Sequence, residues 1–333
     1  MYPLFDAYPK LAEALPRLAL GDWPTPIVKA NALGGNAAVY IKRDDTGGSR
    51  YGGNKVRKLE LLLAAAKAQG HKAVLTFGGA GSNHALATAT YARDAGLHAI
   101  LLLGPQPNTA AVRRSLLLDK DAGADLRCFP DYALRIPWTE EAVAEYTARD
   151  GVAPYVIPPG GSSSVGAAGF VNAAFELKRQ VDAGDMPAPD VVFAASGTMG
   201  TTIGLALGLR AAGLATRVVG TSVTESFLSS IEKGRQLYRE TLQLLRNADT
   251  DFPAIPFDET GFSLRDEFFA PGYGIPTRTA LEAIETARAA AGITLEPVYT
   301  GRAFAALLAS LCSGELDGKC VLVWHTYNSR PLP

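Results

Sequence analysis

The feature that most constrains this chain is alternation. From residue 37 onward, short apolar runs such as Ala73-Val74-Leu75-Thr76-Phe77 and Cys320-Val321-Leu322-Val323-Trp324 take turns with longer segments of helical period. Strands separated by helical segments are joined by crossovers, lie parallel and need helices on their faces. Strands read at 37–41, 73–77, 98–103, 126–128, 155–157, 191–195, 218–222 and 320–324. Helices read at 56–68, 83–95, 110–121, around 140–147, 166–181, 202–212, 227–246, 279–290 and 301–311. The lead before residue 37 is punctuated by prolines, and 249–276 reads as irregular, able to cover a site or hold a partner subunit. A second α/β series begins after Gly160-Gly161-Ser162-Ser163-Ser164, which predicts two lobes with a cleft between them.

Length and charge narrow the function. A chain of 333 residues suggests about two domains. With 32 basic and 33 acidic residues spread evenly, no stripe points to nucleic acid or an anionic membrane. No apolar run approaches the roughly 18 residues that span a bilayer, and the first residues do not read as a signal peptide. Cys128, Cys312 and Cys320 lie far apart and read as reduced, partly buried thiols of a cytoplasmic protein. No zinc spacing, Gly-x-Ser-x-Gly elbow or dinucleotide fingerprint occurs, so metal, serine-hydrolase and nicotinamide readings lack support.

One stretch conflicts with a local rule. Tyr51-Gly52-Gly53-Asn54-Lys55-Val56-Arg57-Lys58-Leu59-Glu60 places three cations in the first turn of a helix, where the macrodipole favours acids. Read alone, these fit either solvated side chains or a phosphate site beside a lysine whose neutral, nucleophilic form is favoured by neighbouring positive charge. Gly78-Gly79-Ala80-Gly81-Ser82-Asn83-His84 joins a strand to a helix that Ser82 can cap, with N–H groups suited to a carboxylate. Ser196-Gly197-Thr198-Met199-Gly200-Thr201-Thr202 stands at the equivalent point of the second lobe and suits a phosphate. Tyr273 and Tyr299 sit in turns bracketed by glycine and proline, where a phenol can donate a proton or shape a pocket; taken alone, a tyrosine is more often a core or surface residue with one satisfied hydroxyl. His84 and His325 flank candidate loops or are ordinary buried imidazoles. Together the lysine, the hydroxyl-rich loops and the fixed tyrosines match the needs of an aldehyde cofactor bearing a phosphate.

Taken together, Lys42-Arg43-Asp44-Asp45, the run from Gly52 to Glu60, Ser82-Asn83-His84, Gly160-Gly161-Ser162, Gly272-Tyr273-Gly274-Ile275-Pro276 and Pro297-Val298-Tyr299 resemble the 1-aminocyclopropane-1-carboxylate deaminase and D-cysteine desulfhydrase family. The resemblance runs over nearly the whole chain. It implies pyridoxal 5'-phosphate as cofactor and the two-lobed α/β architecture of the tryptophan synthase β-like fold, fold type II, with parallel-rich sheets and flanking helices. It further implies a homodimer, and a small lobe of residues 55–165 inserted into a large one of residues 1–54 and 166–333. In it, Lys55 forms the imine with the cofactor. Lys58, Gly197, Thr198, Gly200 and Thr201 bind its phosphate, and Asn83 meets the ring hydroxyl. Ser82 and the neighbouring N–H groups of Asn83 and His84 hold the substrate carboxylate, while Tyr273 and Tyr299 face the substrate.

Finer departures bear on the substrate. In the deaminase branch a glutamate follows the second tyrosine and reaches the pyridine nitrogen, and a leucine lies in the last loop. Thr300 and Thr326 stand at those positions here, similar to the desulfhydrase branch. The resemblance therefore implies a lyase that eliminates across Cα and Cβ of a small amino acid, with D-cysteine leading. L-Cysteate, another β-substituted alanine or a β-replacement are alternatives, and the cyclopropane deaminase is disfavoured. A non-catalytic cofactor-binding protein is the reading from another class. Two further departures are Met199, where the phosphate loop commonly has glycine, and Tyr327-Asn328, where the family has Gly-Gly. Tyr327 is placed beside the substrate, and either residue could offer a donor near Cβ.

Overall fold

The computed structural model describes residues 2–33 and 35–330. In chain order the elements are α1 (Pro3–Ala7), α2 (Leu11–Ala14), β1 (Ile27–Lys29), β2 (Ala38–Lys42), α3 (Lys55–Ala68), β3 (Ala73–Gly79) and α4 (Asn83–Asp94). There follow β4 (His98–Gly104), α5 (Ala110–Asp121), β5 (Asp125–Cys128), α6 (Arg135–Asp150), β6 (Tyr155–Val156), α7 (Ser164–Asp182) and β7 (Val191–Ser196). The last are α8 (Gly200–Ala211), β8 (Arg217–Ser222), α9 (Ile231–Ala248), β9 (Phe262–Arg265), α10 (Arg278–Ala291), α11 (Thr300–Cys312) and β10 (Cys320–Trp324). Two sheets result, one of six strands in the order β1-β2-β10-β7-β8-β9 and one of four in the order β5-β4-β3-β6. Among the described residues the named strands pair in parallel except β1 on β2.

Both faces of the large sheet are covered, so its central strands are apolar without a break. The pleat still sorts them. Val192, Ala194, Leu322 and Trp324 pack with Phe170, Leu177 and Ile203 of α7 and α8. Phe193, Val321 and Val323 point the other way, against Ile284 of α10 and Phe304 and Leu307 of α11. The small sheet is built likewise, with Val74, Leu101 and Leu103 under α3 and α4, and Leu75, Ile100 and Leu102 under α6. Helix α7 ties the two lobes together. A Cβ at Gly169 would stand 2.2 Å from the Arg57 carbonyl oxygen, and one at Gly204 would stand 2.4 Å from that of Ala167. Glycine thus lets α3 and α8 press on α7, and the first turn of α3 arrives beside the start of α8.

Several expectations need correction. The stretch 249–276 is not wholly irregular: Phe262–Arg265 is a parallel edge strand, too short to show a period. The lead contains β1, shorter still at three residues. Helix α9 starts at Ile231 rather than 227, capped by Ser230, whose hydroxyl accepts from the Lys233 N–H. Cys128 and Cys312 are exposed and Cys320 half-buried, all three free, so the thiols are less buried than expected.

Candidate active site

A cavity of about 450 Å³ gathers the segments that follow β3, β7, β8 and β10, together with the first turn of α3. These are C-terminal ends of parallel strands, where an open α/β fold places its ligands.

The first turn of α3 sorts its residues onto three faces by i, i+3 spacing. Lys55 and Lys58 line the cavity, and Val56 and Leu59 are fully buried in the apolar core. Arg57 and Glu60 take the third face. Arg57 grips Asp44 through Nε and Nη2 at 2.8 and 2.7 Å, reaches Glu176 at 2.9 Å, and stacks 3.8 Å from the Trp23 ring centroid. Lys42 also meets Glu176, at 2.6 Å. Burial pushes the Glu176 carboxyl up, but Arg57 and Lys42 overcome it and hold it at about 2. Glu60 accepts the Leu20 and Gly21 N–H groups and the Trp23 indole. Of the three cations, Arg57 is therefore structural.

Lys55 Nζ donates to Asn54 Oδ1 at 3.0 Å. Burial pulls its amine down to about 8 against the opposing pull of the Glu296 carboxylate. Burial, then the charge of Lys55, drives Lys58 well below the ordinary lysine range. Lys58 Nζ donates to the Gly160 carbonyl at 2.9 Å and Ser162 Oγ at 3.2 Å; Ser162 Oγ accepts the Gly200 N–H at 3.0 Å and meets Thr198 Oγ1 at 2.7 Å. A Cβ at Gly200 would fall 2.8 Å from Lys58 Nζ and fill this space. Met199 caps α8 at φ +65°, the left-handed region, so the glycine usual at this position had a conformational reason. A helix N-terminus, a lysine and hydroxyls around a gap fit a phosphate group.

Ser82 Oγ accepts the Ala85 N–H at 3.2 Å, as a cap should. The N–H groups of Asn83 and His84 at the same helix start remain for a carboxylate. Tyr51 donates to Asn83 Oδ1 at 3.0 Å, leaving the Asn83 amide NH₂ as a donor at the cavity. Thr76 donates its hydroxyl proton to the Ile157 carbonyl at 3.0 Å, so its 2.9 Å contact with His84 takes the proton from Nε2. His84 is thereby the Nε2-protonated tautomer, and Nδ1 is a buried acceptor without a partner among the described residues. Burial and the charges of Lys55 and Lys58 keep the ring neutral.

Tyr273 and Tyr299 share a short hydrogen bond, 2.5 Å between hydroxyl oxygens. Burial lifts Tyr273 to about 12, held from rising further by the Tyr299 hydroxyl. Burial and the Tyr273 partner drive Tyr299 well above its ordinary value.

Lys55, Lys58, Ser82, Asn83, His84, Gly197, Thr198, Gly200, Thr201, Tyr273, Tyr299, Thr326 and Tyr327 all line the cavity. Thr300 does not: its hydroxyl turns to Glu296, with Oε1 at 3.1 Å. Asn328 is likewise off the wall: its Oδ1 accepts the Gly52 and Arg330 N–H groups at 2.7 and 3.0 Å and its Nδ2 donates to the Arg330 carbonyl at 3.1 Å, so it offers the cavity no donor. Sequence reasoning missed Glu296, which lines the cavity and caps α11 by accepting the N–H groups of Val298, Tyr299 and Thr300 at 2.7–2.9 Å. Its signal was a carboxylate shortly before a helix start. Ser162 was also missed, as were Tyr132, Arg135, Glu225 and Phe227 at the wall, which stand in loops and a helix start without a motif.

Residues 18–326 match the model of a family described as pyridoxal-phosphate dependent enzyme. D-Cysteine desulfhydrase of Salmonella paratyphi A is 35% identical over 330 residues, covering 95% of each chain. A protein of Pyrococcus abyssi with the provisional name 1-aminocyclopropane-1-carboxylate deaminase is 36% identical, covering 98% of this chain and 94% of its own. A solved structure described as an ACC deaminase homologue superposes with a TM-score of 0.81 at 35% identity, over 96% of this chain and 95% of the other.

Proposed function

The chain belongs to the family of pyridoxal-phosphate-dependent enzymes and is a lyase of the deaminase and desulfhydrase type; within that type we propose α,β-elimination of D-cysteine to pyruvate, ammonia and sulfide. The observation that carries the choice is Thr300, which follows Tyr299 where the deaminase branch has a glutamate. Of the two carboxylates that line the cavity among the described residues, Glu296 is spent on capping α11 and Glu225 stands on the segment after β8.

When bound, the cofactor supplies an electron sink for the pair left behind when Cα loses its proton. Lys55 would hold the cofactor aldehyde. Lys58, Ser162 and the loop Gly197, Thr198, Gly200 and Thr201 would hold the phosphate, Asn83 the ring hydroxyl, and Thr326 the ring nitrogen. A neutral hydroxyl there stabilises less charge than a carboxylate, which suffices for a thiolate leaving from Cβ. The N–H groups of Asn83 and His84 bind the substrate carboxylate, with Ser82 fixing the helix start. The Lys55 amine, held near neutrality, takes the Cα proton, and the Tyr273–Tyr299 pair supplies one to the departing sulfur. The Cα–H and Cβ–S bonds break, and the released 2-aminoacrylate hydrolyses to pyruvate and ammonia. The same reading carries a homodimer, a cytoplasmic location and a small lobe of residues 55–165 within 1–54 and 166–333; the partition of strands between the sheets supports that division.

Pyruvate is assayed with D-cysteine, L-cysteine, β-chloro-D-alanine, D-serine and L-cysteate, and 2-oxobutanoate with 1-aminocyclopropane-1-carboxylate. Pyruvate from D-cysteine at the highest kcat/KM is expected. Pyruvate from none of the five overturns the elimination, and 2-oxobutanoate formed faster than pyruvate returns the chain to the deaminase branch.

A further inference from the structure

Arg302 is fully buried in the first turn of α11, yet among the described residues no carboxylate pairs with it, and Glu296 and Glu225 act on it only as charges beyond contact. Its Nη2 donates to two backbone carbonyls, those of Gly272 and Ile275, each at 2.8 Å. Nε and Nη1 have no partner among the described residues, and the guanidinium carbon lies 5.4 Å from the Phe269 ring centroid. Burying a guanidinium without a carboxylate in contact is costly, and an apolar side chain of similar volume would fill the space at less expense. A local rule broken this way calls for a compensating gain. The two carbonyls bracket Tyr273-Gly274, and Gly274 has φ +76°, so between the flanking Pro271 and Pro276 the glycines leave the tyrosine's own backbone without stiffness. Three residues before Arg302 stands Tyr299, whose hydroxyl lies 2.5 Å from that of Tyr273. One helical turn thus carries one phenol and grips the turn that carries the other.

We infer that Arg302 is a positioning residue that sets the Tyr273 hydroxyl against Tyr299, so that the pair is aligned to deliver a proton to the leaving group. The inference rests on the elimination proposed above for its chemistry, but not for its geometry. Arg302→Met keeps the volume and removes the donors, and Arg302→Lys restores one donor. Amide hydrogen exchange is measured in the holoenzyme on peptides spanning 271–276 and 303–312. Exchange in the first should quicken by about tenfold or more in Arg302→Met while the second is unchanged. With D-cysteine, kcat should fall by about 10–100-fold with KM little altered, the scale expected when a reacting group is misplaced by about 1 Å. Arg302→Lys should recover part of it, and Arg302→Met/Tyr273→Phe should be no slower than Tyr273→Phe alone. If Arg302→Met does not fold, Arg302→Lys carries the same comparisons at smaller amplitude. Unchanged exchange in 271–276, or losses that multiply in the double variant, overturns the inference. A wild-type enzyme that yields no pyruvate overturns the elimination instead, and the exchange measurement still decides the role of Arg302.

Discussion

Asn54 Nδ2 donates to Thr201 Oγ1 at 2.9 Å, joining the residue before α3 to the first turn of α8. The other end of the same amide accepts from Lys55 at 3.0 Å. One side chain therefore sets the distance between the amine and the phosphate cradle. Asn54→Ala should weaken pyridoxal-phosphate binding by about tenfold, the value of one or two lost hydrogen bonds. Titrating apoprotein with the cofactor checks this, and an unchanged affinity speaks against the bridge.

Arg57 and Lys58 are adjacent but should fail differently. Arg57→Met leaves Asp44 and Glu176 buried with less counter-charge and should destabilise the fold by about 3–5 kcal/mol. Lys58→Ala removes a side chain that meets a carbonyl and a hydroxyl and strands no buried carboxylate among the described residues, and should lower cofactor affinity with a much smaller change in stability. Urea denaturation of both apoproteins separates the two outcomes.

The lobes, the parallel sheets and most helix limits were legible in the sequence because fully covered strands read as unbroken apolar runs between helical periods. The cavity lysines were legible because they broke the charge rule of a helix start. Arg57 broke the same rule for a different reason, which needs Asp44 and Glu176 from distant segments to be seen. Asn328 looked like a pocket residue from its place beside Tyr327, but its amide oxygen accepts the Gly52 N–H and closes that distant turn instead. Edge strands such as β9, at four residues, are too short to carry a period.

Asp119 in α5 has neither carboxylate oxygen paired among the described residues, and burial raises its carboxyl from 3.8 to about 7. Between pH 4 and 7 the folded state keeps a proton that the unfolded chain releases. Its contribution is fully present below about pH 4 and is lost as pH rises to about 7. The difference in stability between wild type and Asp119→Asn should therefore swing by up to about 4 kcal/mol in favour of the variant across that window, at 1.36 kcal/mol per pH unit. Thermal or urea denaturation at several pH values measures it, and parallel curves refute the assignment.

Lys55 is the residue on which the chemistry turns. Lys55→Ala, purified with pyridoxal phosphate, should lack the visible absorbance of the covalently held cofactor and lose pyruvate formation from D-cysteine by about a thousandfold or more. A variant that keeps both the visible band and wild-type turnover would contradict the assignment of Lys55 and with it the reading of the cavity.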